Sequence, residues 1–196
     1  MNPLAGEENS MAGMEGLGRL FDIGLAVAPV DINTSDAATG KYIDMSGATG
    51  VTIVAVTLAG GADDLTFDVQ QHTQATSAGT NADLDATGVA TSTGVDHFYI
   101  KAETALDNDE AWVKVSQTAA SEAVVVGATY GTQQKLVAIY VAADQLGDGY
   151  RWLSVNVACT TSTSQILAVL YILHDLSVQR TPVNLPNLLN AGAANA

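Results

Sequence analysis

Side chains able to carry chemistry are sparse in this chain, and their spacing is loose. Acidic residues gather as Asp63-Asp64, as Asp83 with Asp85, and as Asp107-Asn108-Asp109-Glu110. Two carboxylates facing each other across a sugar can run glycoside hydrolysis, and a run of oxygen ligands can hold Ca²⁺. All three clusters lie between apolar runs, where turn geometry alone favours Asp and Asn. The run at 107–110 also lacks the spacing and the glycine of an EF-hand loop. His72, His97 and His174 form no HxH or HExxH pair and read as hydrogen-bonded or exposed side chains. No G-x-S-x-G elbow presents a serine, and Gly60-Gly61 leads into Asp63 and Asp64 rather than into a phosphate-binding helix. Cys159 is the single cysteine, which excludes an intrachain disulfide and a CxxC metal site. Within VNVAC it reads as a small buried residue. Trp112 and Trp152 with Tyr99 offer either a sugar-stacking platform or anchors in a core or interface. These residues compose no catalytic, cofactor or metal constellation, so the chain reads as a non-enzyme.

The elements that would position them are strands. GLAVAPVDI carries Pro29, which favours an edge or a bend. In LTFDVQQH, Leu65, Phe67 and Val69 alternate with Thr66, Asp68 and Gln70. DHFYIKAET places Phe98 and Ile100 opposite His97, Tyr99 and Lys101, and EAWVKVSQ answers it with Ala111, Val113 and Val115 as the second arm of a hairpin. YRWLSVNV turns Leu153, Val155 and Val157 one way, as an outer strand with one wet face does. VTIVAVTL, KLVAIYVA and ILAVLYIL are apolar on both sides and predict central strands covered on both faces. Residues 73–95 predict a long exposed loop, or a loop with a weak edge strand inside it, and a short helical turn is expected near Leu17 to Phe21. Nine or so strands with frequent turns and no long helix predict an all-β, antiparallel β-sandwich or jelly-roll-like domain over 21–176. An N-terminal arm (1–20) and an extended C-terminal arm (177–196) flank it.

Composition limits the partners. The chain has 196 residues, 47% of them apolar, enough for one sizeable core. Seven Lys and Arg stand against 21 Asp and Glu, a formal charge of -14, and no basic cluster exists to displace counterions from phosphate. Direct nucleic-acid binding is therefore not expected. The N-terminus has no basic and apolar leader pattern. Ile166 to Leu173 is the longest apolar run and too short to span a bilayer as a helix, so no membrane partner is expected.

The C-terminal arm, SVQRTPVNLPNLLNAGAANA, keeps Val178, Val183, Leu185, Leu188 and Leu189 around Pro182 and Pro186. The prolines forbid a continuous helix and favour an extended path. Either the arm covers an edge of its own domain or Val183, Leu185, Leu188 and Leu189 grip a neighbouring subunit. The segment order FDIGLAVAPVDI, DHFYIKAETALDNDEAWVKVSQ, ADQLGDGYRWLSVNV and LAVLYILHDLSVQRTPVNLPNLL resembles small virion proteins of tailed bacteriophages, in particular head decoration (cement) proteins. The resemblance runs from about Phe21 to Leu189. It implies a β-rich protein without catalytic residues, on the capsid surface of a virion assembled in the host cytoplasm. The implied partners are the major capsid protein and copies of itself, as trimers or dimers. A phage tail component and an extracellular carbohydrate-binding β-sandwich are the alternatives.

Overall fold

Alternation sorts this chain into layers. Successive side chains of a strand point to opposite faces, and Leu65, Phe67 and Val69 are buried while the Thr66, Asp68 and Gln70 between them are half-buried. The computed structural model describes residues 16–33, 37–76, 78–84, 94–107, 109–160, 164–178 and 189–190. In chain order the strands are β1 (Phe21–Ile32), β2 (Ala38–Thr39), β3 (Tyr42–Asp44), β4 (Gly50–Thr57), β5 (Leu65–His72), β6 (Asn81–Asp83) and β7 (Val95–Glu103). There follow β8 (Val113–Ala120), β9 (Glu122–Val125), β10 (Gln134–Ala142), β11 (Trp152–Cys159), β12 (Gln165–His174) and β13 (Leu189–Asn190). One helical turn, Gly127–Tyr130, precedes β10, and a 3₁₀ turn, Ala143–Gln145, follows it.

The strands form a β-sandwich of two antiparallel sheets. The first has six strands in the order β1-β12-β4-β10-β7-β8. The second runs β13-β3-β11-β5-β6, with β2 also beside β11 and β9 also beside β5. The core lies between them, built from Val51 and Ile53, Val137 and Ile139, and Val169 and Leu173 on one side. Phe67, Val69, Leu153, Val155 and Val157 face them from the other.

Tyr171 ties the layers together. It projects from β12 opposite Gly24, and its buried hydroxyl donates to the Lys41 carbonyl at 3.0 Å and accepts from the Val155 amide at 3.0 Å. Burial raises the phenol well above its ordinary pKa. The neighbouring Gly40 gives its amide to the Val155 carbonyl, so close that a Cβ there would lie 2.3 Å from that oxygen. Only glycine fits.

Lys135 is the buried cation of β10, and its ammonium donates to the carbonyls of Gln133 (2.9 Å), Tyr130 (3.1 Å) and Gly131 (3.3 Å). Burial lowers its pKa to about 8. The charge thus satisfies the carbonyls that end the short helical turn.

The all-β sandwich expected from the sequence is the observed fold. Pro29 lies in edge strand β1, whose register with β12 shifts between Leu25 and Val27 and again between Val27 and Val30. The weak strand inside 73–95 is β6. Leu20 donates its amide to the Gly16 carbonyl at 2.8 Å, closing the turn expected there. The expectation that fails concerns the apolar runs. VTIVAVTL, KLVAIYVA and ILAVLYIL become β4, β10 and β12, adjacent central strands, but the second sheet covers only one of their faces. A double-faced apolar run is the pattern of a strand between two layers. Here, among the described residues, the third layer is missing.

Candidate functional site

The outward side chains of the six-stranded sheet form rows set by its register. One row runs Leu25, Leu170, Val54, Ala138 and Tyr99 across five strands before reaching Lys114 on β8. The next runs Ile23, Ile172, Thr52 and Tyr140. A third carries Ala168, Val56 and Leu136 to Lys101. Several members stand well out of the sheet, including Ile23 (48% exposed), Val56 (42%) and Tyr140 (51%). Single exposed aliphatics are ordinary on a protein surface, but a contiguous apolar face is not.

Within this face lies an aromatic groove of about 380 Å³ lined by Thr52, Tyr99, Trp112, Ala138 and Tyr140. The Lys101 ammonium lies 5.4 Å from the centre of the Trp112 ring, a cation–π contact that holds the indole at the groove's edge. On the far side the His174 imidazole meets the Thr52 hydroxyl at 2.6 Å and the Tyr140 ring at 6.0 Å. Trp152 is not part of the groove. It sits on the second sheet with the Arg151 guanidinium 5.7 Å from its ring, so the trio of Trp112, Trp152 and Tyr99 does not converge and Tyr140 completes the groove instead.

The outward face of the second sheet is polar and acidic. Asp68 of β5 lies opposite Asn156 of β11 and Glu122 of β9, and Gln70 lies opposite Asp83 of β6. Burial, with the nearby Asp83 carboxylate, raises the Asp68 carboxyl above its ordinary pKa. At one end His72 is buried under Tyr42, ring centres 4.2 Å apart and nearly parallel, and bonds the Ser154 hydroxyl at 2.8 Å. Burial lowers its pKa to about 4, keeping it neutral. Beside it Asp44 receives the Arg151 guanidinium in a two-pronged pair and the Ser46 amide at 2.9 Å. Burial works to raise the Asp44 carboxyl, but these partners together hold it below its usual range.

At the tip of the β7–β8 hairpin, carboxylate oxygens of Glu103, Asp107, Asp109 and Glu110 all lie within 4.8 Å of one another. The Asp107 amide donates to Glu110 at 3.0 Å and the Asp109 amide to Asp107 at 3.4 Å, bonds that close the turn from within. A hydrogen bond with Glu110, together with the surrounding carboxylates, raises the Glu103 pKa.

The histidines do not meet. His72 belongs to the second sheet, while His97 and His174 lie on β7 and β12, separated by β4 and β10. Cys159 is buried at the end of β11. Of the proposed gripping residues, Val183, Leu185 and Leu188 lie outside the described residues. Leu189 pairs with Ile43 in the β13–β3 ladder, which places that point of the arm at the edge of its own second sheet. The sequence reading missed the outer-face side chains of β4, β10 and β12, because apolar residues on both sides of a strand were assigned to two buried faces. The signal that could have found them was the lack of any long helix to lie over the sheet. Compared with protein-family models, curated proteins and solved structures, the chain matches none.

Proposed function

We propose that the protein is a non-enzymatic structural component of a tailed-phage virion. In this reading it binds the outer capsid shell as a decoration, or cement, protein and reinforces contacts between capsomers. The observation that carries the reading is the contrast between the sandwich's outer faces. A face of Leu25, Leu170, Val54 and Ala138 asks to be covered by another protein surface, whereas the face bearing Asp44, Asp68, Asp83 and Glu122 suits the solvent side of a particle. An acidic exterior at -14 also keeps particles mutually repelling and soluble. The partners in this reading are the major capsid protein and further copies of the chain. Cosedimentation with mature capsids at stoichiometric copy number is expected. Absence of the protein from purified virions ends the proposal, and labelled protein found on tails by electron microscopy moves it to the tail.

A second reading is favoured by the aromatic groove. Tyr99, Trp112 and Tyr140 line one space, and aromatic rings so gathered can stack a sugar. Glycan-array binding that is lost in Trp112→Ala and kept in Trp152→Ala supports a carbohydrate-binding module. No binding across a broad array removes it.

A further inference from the structure

The apolar face of the six-stranded sheet has three conceivable occupants: a segment of its own chain, a foreign surface, or another copy. Within the C-terminal segment, Leu189 and Asn190 pair with Ile43 and Tyr42 of the other sheet. The N-terminal residues 1–15, MNPLAGEENSMAGME, contain Glu7, Glu8 and Glu15 with only Leu4 and scattered Met to offer an apolar sheet. Neither end is a good cover.

Size and charge point to a second copy. Five strands, β1 to β7 across the sheet, spaced about 4.8 Å apart and eight to twelve residues long, give a footprint on the order of 700 Å². The accessible area of a corrugated face exceeds its footprint, which brings it near the ~800 Å² per partner of a standard stable interface. Each chain carries a formal -14, so association must keep the acidic surfaces apart. Stacking the apolar face on the acidic face of a neighbour would bury Asp68 and Asp83 against aliphatics, at a high desolvation cost. It would also leave an apolar face open at the end of every stack, which propagates fibres. Joining apolar face to apolar face avoids both.

The face is also shaped to complement itself. Its groove, between Tyr99, Trp112 and Tyr140, lies over β4, β10 and β7, with Trp112 just before β8. Its projecting aliphatics, Ile23 (48% exposed) and Leu25 (39%), stand on β1 at the opposite edge. A two-fold axis parallel to the strands and running along β4 exchanges β1 with β7 and β12 with β10 and leaves β8 outside the overlap. Because such an axis keeps each row at its own level, that operation lays Leu25 of each copy over Tyr99 in the groove of the other, twice, as an isologous contact requires. We infer that two copies of this chain associate through the outer faces of their six-stranded sheets about this axis, with Leu25 docked on Tyr99 in the partner's Tyr99–Trp112–Tyr140 groove. This concerns the isolated protein and stands whether or not a capsid is its further partner.

The test uses the full chain in solution. Sedimentation equilibrium is expected to give twice the 20.2 kDa chain mass. Val54→Lys, at the centre of the face, is expected to weaken association about 100-fold or more by burying a charge, with the circular-dichroism melt retained. Asp68→Lys on the other face leaves the dimer intact. If Val54→Lys fails to fold, disulfide trapping decides independently. In a Cys159→Ser background, a mixture of Leu25→Cys and Tyr99→Cys chains is expected to form a crosslinked heteropair, whereas neither variant crosslinks with itself. A monomer at the highest soluble concentration overturns the inference. So does a dimer indifferent to Val54→Lys, a self-crosslinking Leu25→Cys chain, or a monomer that dimerises only after residues 1–15 are removed.

Discussion

Val54 of β4 and Asp68 of β5 occupy equivalent places, each mid-strand on the outward side of a sheet and flanked by paired strands. Val54 is bordered by Leu170 and Ala138; Asp68 is bordered by Asn156 and Glu122. Backbone geometry is the same, so the difference lies wholly in which side chains fill the alternate positions. The second sheet follows the one-wet-face pattern of an ordinary sandwich. The first departs from it on all three of its most apolar strands. Such a departure persists when the face is covered in the working assembly, and on this difference the proposed function and the proposed dimer both rest.

The sharpest way to break the comparison uses neighbours on one strand. Ile53 is fully buried while Val54, next in sequence, faces outward. Ile53→Ala is expected to cost about 2–5 kcal/mol of folding stability. Val54→Ala, measured by chemical denaturation at low protein concentration, is expected to cost less than about 1 kcal/mol. A Val54→Ala penalty equal to that of Ile53→Ala would mean the chain covers this face itself.

The polar face yields the next largest effect, as a dependence on pH. His72 has a folded pKa of about 4, below the ordinary value of 6.5, because burial disfavours its charged form. The unfolded chain therefore takes up the proton first as pH falls. The stability tied to neutral His72 is complete above about pH 6.5 and is lost progressively down to about pH 4, amounting to on the order of 3 kcal/mol. His72→Asn is expected to flatten the unfolding free energy across that window. An unchanged slope would mean that His72 is hydrated and that this end of the acidic face is open.

How much of this was legible depended on whether a residue's environment was local. Alternation in LTFDVQQH and YRWLSVNV named the buried side chains of β5 and β11, because period two follows from the pleat itself. Pro29 marked an edge for an equally local reason, its missing amide. The outer face of β4, β10 and β12 was misjudged because coverage of a face depends on what other segments do. The groove was only half visible for the same reason. Tyr99 and Trp112 were singled out, but Tyr140 joins them through the β10–β7 pairing, which no local pattern encodes. The Tyr171 bridge was likewise hidden inside an apolar run, since its partners Lys41 and Val155 come from distant segments.

That bridge offers a third test, of what joins the two differently clad sheets. Tyr171→Phe keeps the ring and leaves the Lys41 carbonyl and the Val155 amide without the hydroxyl. A loss of about 1–3 kcal/mol is expected, read from urea denaturation with an unchanged slope. A near-neutral result would mean that the sheets are held by side-chain burial alone.

The smallest expected effect is the most discriminating for the acidic face. Arg151 and Asp44 form a two-pronged pair at its margin, and the Arg side chain is 56% exposed. A solvated pair of this kind contributes about 0.2–1 kcal/mol and weakens with salt. A double-mutant cycle with Arg151→Ala and Asp44→Asn isolates it from the Ser46 amide bond that Asp44 also makes. Because the folded Asp44 pKa is lowered, the coupling should be full above the ordinary Asp value and vanish as pH falls through the lowered one. Coupling of this size that disappears in high salt identifies the acidic side as a solvated exterior of separable, weak contacts. A salt-insensitive coupling of several kcal/mol would instead mean that this face is desolvated as well, and that the asymmetry between the faces is one of chemistry and not of exposure.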